Sequence, residues 1–140
     1  MRPFNYGAAY ATAAVSFVAL DFCWLSFATD RIYRPAIGAL LADKVALVPG
    51  VIFYLLYIAG VVILAVAPGL REGSWKRTAA SAATLGLVAY GTYDLTNQAT
   101  LKTWATQLTV LDMGWGCLAT TIAALAAFRA AAAVGKGMTP

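Results

Sequence analysis

Tyr90-Gly91-Thr92-Tyr93-Asp94-Leu95-Thr96-Asn97-Gln98-Ala99-Thr100-Leu101-Lys102-Thr103-Trp104 decides how this chain is read. The stretch begins inside a long apolar run and carries a carboxylate, an amide and two phenols toward the run's end. On a helix, Tyr90, Asp94 and Asn97 fall at i, i+4 and i+7 on one face, with Tyr93 beside them. Showing a carboxylate to lipid is costly, so this face is expected to point into protein or a watery cavity.

The apolar surroundings extend over the whole chain. Of 140 residues, 61% are hydrophobic and only 11% charged. A soluble domain carries about 25% charged residues, so composition alone selects a membrane protein, with the lipid bilayer as its first partner. The length allows a single domain, 1–140. The formal net charge of +4 sits in short clusters between apolar runs. That pattern marks topology, not the concentrated basic face that nucleic acid requires, so no nucleic-acid partner is expected. Histidine is absent, which removes the commonest metal ligand and the usual near-neutral acid–base group. Cys23 and Cys117 lie in separate apolar runs without Cys-x-x-Cys spacing and read as small buried apolar residues. No metal and no cofactor is expected.

Four apolar runs are long enough to cross the roughly 30 Å hydrocarbon core: about 6–28, 51–67, 78–97 and 107–128. The first resembles a secretory signal peptide at its start, but its length and Asp21 make it a transmembrane helix. Between the first two runs, Arg34 to Lys44 predicts a short amphipathic surface helix opened by Pro35, with Ile37, Leu40 and Leu41 on one side. Pro68-Gly69 reads as the end of the second span and Thr106 as the N-cap of the fourth. The tail from Gly135 to Pro140 is expected to fray. Gly60, Gly86, Gly91, Gly114 and Gly116 read as close-packing positions. The predicted fold is therefore all-α, an antiparallel bundle of four transmembrane helices. Its termini share one side with Arg2, Arg71, Lys76, Arg77, Arg129 and Lys136, against Arg31, Arg34, Lys44 and Lys102 opposite. The basic excess places both termini in the cytoplasm.

Leu20-Asp21-Phe22-Cys23-Trp24, Phe53-Tyr54-Leu55-Leu56-Tyr57, Tyr93-Asp94-Leu95-Thr96-Asn97 and Asp112-Met113-Gly114-Trp115-Gly116 together resemble a family of small bacterial membrane proteins. The family is catalogued as a domain of unknown function, and the resemblance covers nearly the whole chain. Tyr-Asp-Leu-Thr-Asn in the third span is its most specific feature. The resemblance implies a bacterial inner-membrane protein and carries no reaction with it.

Counting about 1.5 Å per residue from each span's cytoplasmic end puts Asp21, Asp94 and Asp112 at about 22, 24 and 25 Å. Tyr54 and Tyr57 fall at about 24 and 20 Å, and Trp24 and Trp115 each follow an aspartate by three residues. All four spans thus send polar or aromatic groups to one level, where no span supplies a lysine or arginine. The expected site is an acidic, aromatic-lined pocket in the outer half of the bilayer. It gathers Asp21, Trp24, Tyr54, Tyr57, Tyr90, Tyr93, Asp94, Asn97, Asp112 and Trp115. Carboxylates so placed share protons, bond to the tyrosines or bind a cation, and the aromatic faces suit an organic cation. Binding or translocation of a small, cationic or proton-coupled ligand follows, with a homodimer as a corollary of so few spans. Two alternatives stand beside it: an enzyme or accessory protein acting on a lipid or isoprenoid, and a non-catalytic scaffold whose polar bonds only lock helices.

Overall fold

The computed structural model describes residues 4–137, with side chains described through residue 134. Among these residues every regular element is helical. The order is α1 (Tyr6–Ala28), a π-helical turn (Thr29–Tyr33), α2 (Arg34–Ile37), a 3-10 turn (Gly38–Leu40), α3 (Leu47–Val61), a second π-helical turn (Val62–Val66), α4 (Ala67–Glu72), α5 (Trp75–Thr100) and α6 (Thr106–Gly137).

Local chemistry accounts for the ends. The Asn5 side chain accepts from the Ala8 amide at 2.8 Å and so starts α1. Ser74 does the same for α5 through the Arg77 amide at 3.2 Å. Between α4 and α5, Gly73 takes φ 62°, the left-handed conformation that glycine adopts without cost.

Two helical paths run on past expected boundaries for a common reason. Beyond Ala28, where α1 ends, the helical path continues to Leu40, and the second passes through Pro68 to Glu72. Each π turn ends two residues before a proline, Tyr33 before Pro35 and Val66 before Pro68. A proline ring clashes with the carbonyl four residues back, and the wider π turn lets the helix bypass that clash. The backbone bonds Arg34 N–H to Thr29 C=O and Ala67 N–H to Val62 C=O are the result. The helix predicted from Arg34 to Lys44 is thus the end of the first helical path. It reaches only Leu40, and Ile37 is buried.

Other expectations also shift. Thr106 does not cap α6: the Ala105 carbonyl accepts from the Leu108 amide at 3.0 Å, and the Thr106 hydroxyl accepts from Gln98 Nε2 at 2.9 Å. Cys23 is exposed and Cys117 half-buried. The predicted frayed tail begins inside α6, which runs to Gly137. Met138 to Pro140, like Arg2 and the Lys136 side chain used in the charge balance, lie outside the described residues.

Three helical paths are long and apolar enough to cross a membrane: Tyr6–Leu40, Leu47–Glu72 and Thr106–Val134. Although α5 has 26 residues, about 39 Å of helix, it is not among them. Its basic start and its run of threonine, Asp94, Asn97 and Gln98 keep it too polar. What holds it is α6. The two run antiparallel: Gly86 lies against Gly116, Gly91 against Met113, and Gln98 bonds to Thr106 and Thr109. A Cβ on Gly86 would stand 2.4 Å from the Gly116 carbonyl oxygen, and one on Gly116 would stand 2.2 Å from the Tyr90 ring. Gly60 and Gly114, by contrast, have nothing within 4 Å and are not packing positions.

The buried stripes explain where the acids go. On α1 the buried positions are Ala9, Ala13, Phe17 and Asp21, each four residues after the last until Ala28. On α5 they are Thr78, Ala82, Gly86, Gly91 and Asp94. On α6, Leu108, Asp112, Gly116 and Thr120 form one such row beside Ala119, Ala123, Ala127 and Ala131. Each aspartate extends the inward face of its own helix.

Gly86→Ala is expected to destabilise the protein by about 1–3 kcal/mol, the usual cost of overpacking, because backbone cannot yield as a side chain does. Gly114→Ala meets open space and should be nearly neutral. Unfolding of both variants in detergent checks the contrast.

Candidate functional site

The three carboxylates are buried, Asp94 at 0% exposure, Asp112 at 3% and Asp21 at 8%. Two of them are held by a phenol from another element. Tyr54 on α3 donates to Asp21. Tyr33, in the first π turn, donates to Asp112, and Trp24 Nε1 donates to the Tyr33 oxygen at 3.1 Å. Trp24 also stacks on Trp115, centroids 4.8 Å apart and planes within 7°. Indole, phenol and carboxylate therefore form one directed relay from α1 to α6, each bond polarising the next.

Asp94 differs. Neither of its oxygens has a hydrogen-bond partner. Asp112 is near enough to Asp94 for their charges to interact, and the same holds for Asp21 and Asp112. Tyr90, its ring on Gly116, lies within the field of both Asp21 and Asp112. The acids of α1, α5 and α6 are thus electrostatic neighbours with one uncapped member.

Not every predicted residue joins them. The Tyr57 hydroxyl pairs with Thr120 at 2.8 Å, not with a carboxylate. Its ring reaches the cluster through two phenylalanines: Phe17, 5.1 Å from Tyr57 and 6.2 Å from Tyr54, and Phe53, 5.3 and 5.7 Å from the same two rings. Tyr93 turns outward, 51% exposed, with its ring edge-on to Trp104 at 5.6 Å. Asn97 is half-buried. Its neighbour Gln98 makes the bonds instead, accepting from Thr109 at 2.7 Å while Thr109 accepts from Trp104 at 3.0 Å. That string locks the α5–α6 turn. Trp115 is placed by stacking on Trp24 and by packing against the core, and its Nε1 is buried without a partner.

Tyr33 and Thr120 were not singled out from the sequence. Thr120 carries a usable signal, standing eight residues after Asp112 on the same helix face. Tyr33 carries none on an ideal helix, where nine residues put it about half a turn away from Trp24.

The family described as "Predicted membrane protein (DUF2177)" matches residues 6–129. The chain belongs to that family of predicted membrane proteins. Nothing among the curated proteins or the solved structures matches it.

Tyr33→Phe should destabilise the fold by about 1–3 kcal/mol, because it leaves a buried carboxylate without its donor and the Trp24 indole without its acceptor. Tyr93→Phe, at an exposed phenol, should change stability little. Thermal unfolding in one detergent compares the two.

Proposed function

We propose that the chain is a four-span antiparallel bundle of the bacterial inner membrane, both termini cytoplasmic, that binds or translocates a proton or small cation at its acidic cluster. The observation that carries this reading is Asp94, wholly buried with both oxygens unpartnered while its two neighbours are each capped. An ionised carboxylate in that position costs at least about 2.5 kcal/mol, so Asp94 holds either a proton or a cation. Like charges close together reinforce the demand.

The burial narrows the ligand. A proton or bare ion needs no wide mouth, whereas an organic cation would have to part the helices. In the four-span arrangement α5 is the third span despite its polarity, sheltered by α6 along the Gly86 contact. So small a bundle encloses little path, and two copies acting together are part of the proposal.

Proton release tests it. Adding a monovalent cation to the purified protein in weakly buffered detergent should release protons, and cation binding should weaken as pH falls because protons compete for the same carboxylate. Asp94→Asn should lose most of the release with its helical content intact, while Asp43→Asn, at an exposed residue, should keep it. Full release from Asp94→Asn would refute the assignment. The topology has its own check. With the native cysteines replaced, single cysteines at Lys76 and Lys102 should react with an impermeant reagent from opposite sides of the membrane.

A further inference from the structure

At the end of α5 remote from Asp94, and on another of its faces, lies a groove of about 430 Å³. Leu64 of the second π turn forms one wall, and α5 from Arg77 to Val88 forms the other. The groove takes no part in the acidic cluster.

Its polarity runs one way. Arg77 stands at one end with its side chain 53% exposed, and only its Nε approaches Glu72, at 3.7 Å. A guanidinium has five N–H donors, so most remain available to another acceptor. Ser81 follows one turn on, at i+4. Beyond it, Thr84 gives its hydroxyl to its own helix, the Ala80 carbonyl at 2.9 Å. The far end is apolar, with Leu64 and Val88 59% and 61% exposed. Arg77 to Val88 spans about 16 Å along the helix axis. That is close to one leaflet of a roughly 30 Å hydrocarbon core. The cationic end also carries Arg71 and Lys76 against Glu72 alone, with an exposed Trp75 of the kind that marks a membrane interface.

In the four-span arrangement proposed above, on which this inference rests, the groove faces lipid, and its length, polarity gradient and charge all match one occupant. We propose that it binds an anionic phospholipid, the phosphate on Arg77 and one acyl chain lying along α5 past Ser81 and Thr84 to Val88.

Native mass spectrometry of the full chain, released from nanodiscs holding equal phosphatidylglycerol and phosphatidylcholine with the same acyl chains, tests the site. The wild type should carry phosphatidylglycerol in preference. Arg77→Gln should lower that preference about fivefold, the share of one basic residue at a membrane surface, and Arg77→Lys should restore most of it. Ser81→Phe, which fills the groove, should reduce both lipids, and excess inorganic phosphate should not displace them. Circular dichroism confirms that each variant is folded; should Ser81→Phe fail to fold, Thr84→Leu takes its place. A wild type indifferent to headgroup, or an unchanged preference in Arg77→Gln, overturns the proposal. So does displacement by inorganic phosphate, which would make Arg77 a soluble-anion site. A dimer that Ser81→Phe splits without changing the lipid count also overturns it, since the groove would then be an interface between copies.

Discussion

The backbone contact between α5 and α6 at Gly86 is what the remaining arrangement depends on. Lipid tails are as apolar as leucine, so helices inside a bilayer gain little by hiding apolar surface from one another. They associate by close packing and by satisfying polar groups. Here α5 is the long helix least suited to lipid, and it carries the most deeply buried acid. Glycine at positions 86 and 116 removes the side chains that would hold α6 away. Met113 then reaches Gly91, and the Tyr90 ring lies against Gly116. With the helices that close, the face that ends in Asp94 is buried within the protein. A wider spacing would uncover the carboxylate.

The long helices were readable because apolar runs of twenty or so residues have few other uses. The inward position of all three acids was readable too, since each continues an i+4 row of small or apolar residues. The helix ends near the two prolines were not. Pro35 and Pro68 are stop signals on an ideal α-helix, and the π turns before them carry the helix onward. The same turn explains why Tyr33 was invisible. Nine residues of regular helix separate it from Trp24 by about half a turn, yet the two side chains are bonded at 3.1 Å. A register change is needed to bring them to one side, and the sequence pattern alone does not announce it. Tyr93 failed for the opposite reason. Its spacing fits the site face loosely, but the α5–α6 turn offers Trp104 as a nearer aromatic partner.

The bonds around the acids fall into two kinds. The α5–α6 pair is fastened by backbone contact and by the Gln98 string at its turn, neither of which involves a carboxylate. The path from α1 to α3 is fastened to the acids by phenols: Tyr54 bridges α3 to α1 at Asp21, and Tyr33 bridges the first π turn to α6 at Asp112. A phenol–carboxylate bond is strong while the acid is ionised and weaker once it is neutral, because charge-assisted hydrogen bonds exceed neutral ones about twofold. Glycine packing has no such dependence. On the proposed function, a proton or cation entering the cluster would alter the attachment of the first π turn and α3 while leaving the α5–α6 seam as it was. Asp94, on the seam and without a phenol, is the one acid that can change its occupancy without breaking a hydrogen bond. Asp112 lies close enough for its charge to act on Asp94, which ties the seam to the acid that holds Tyr33.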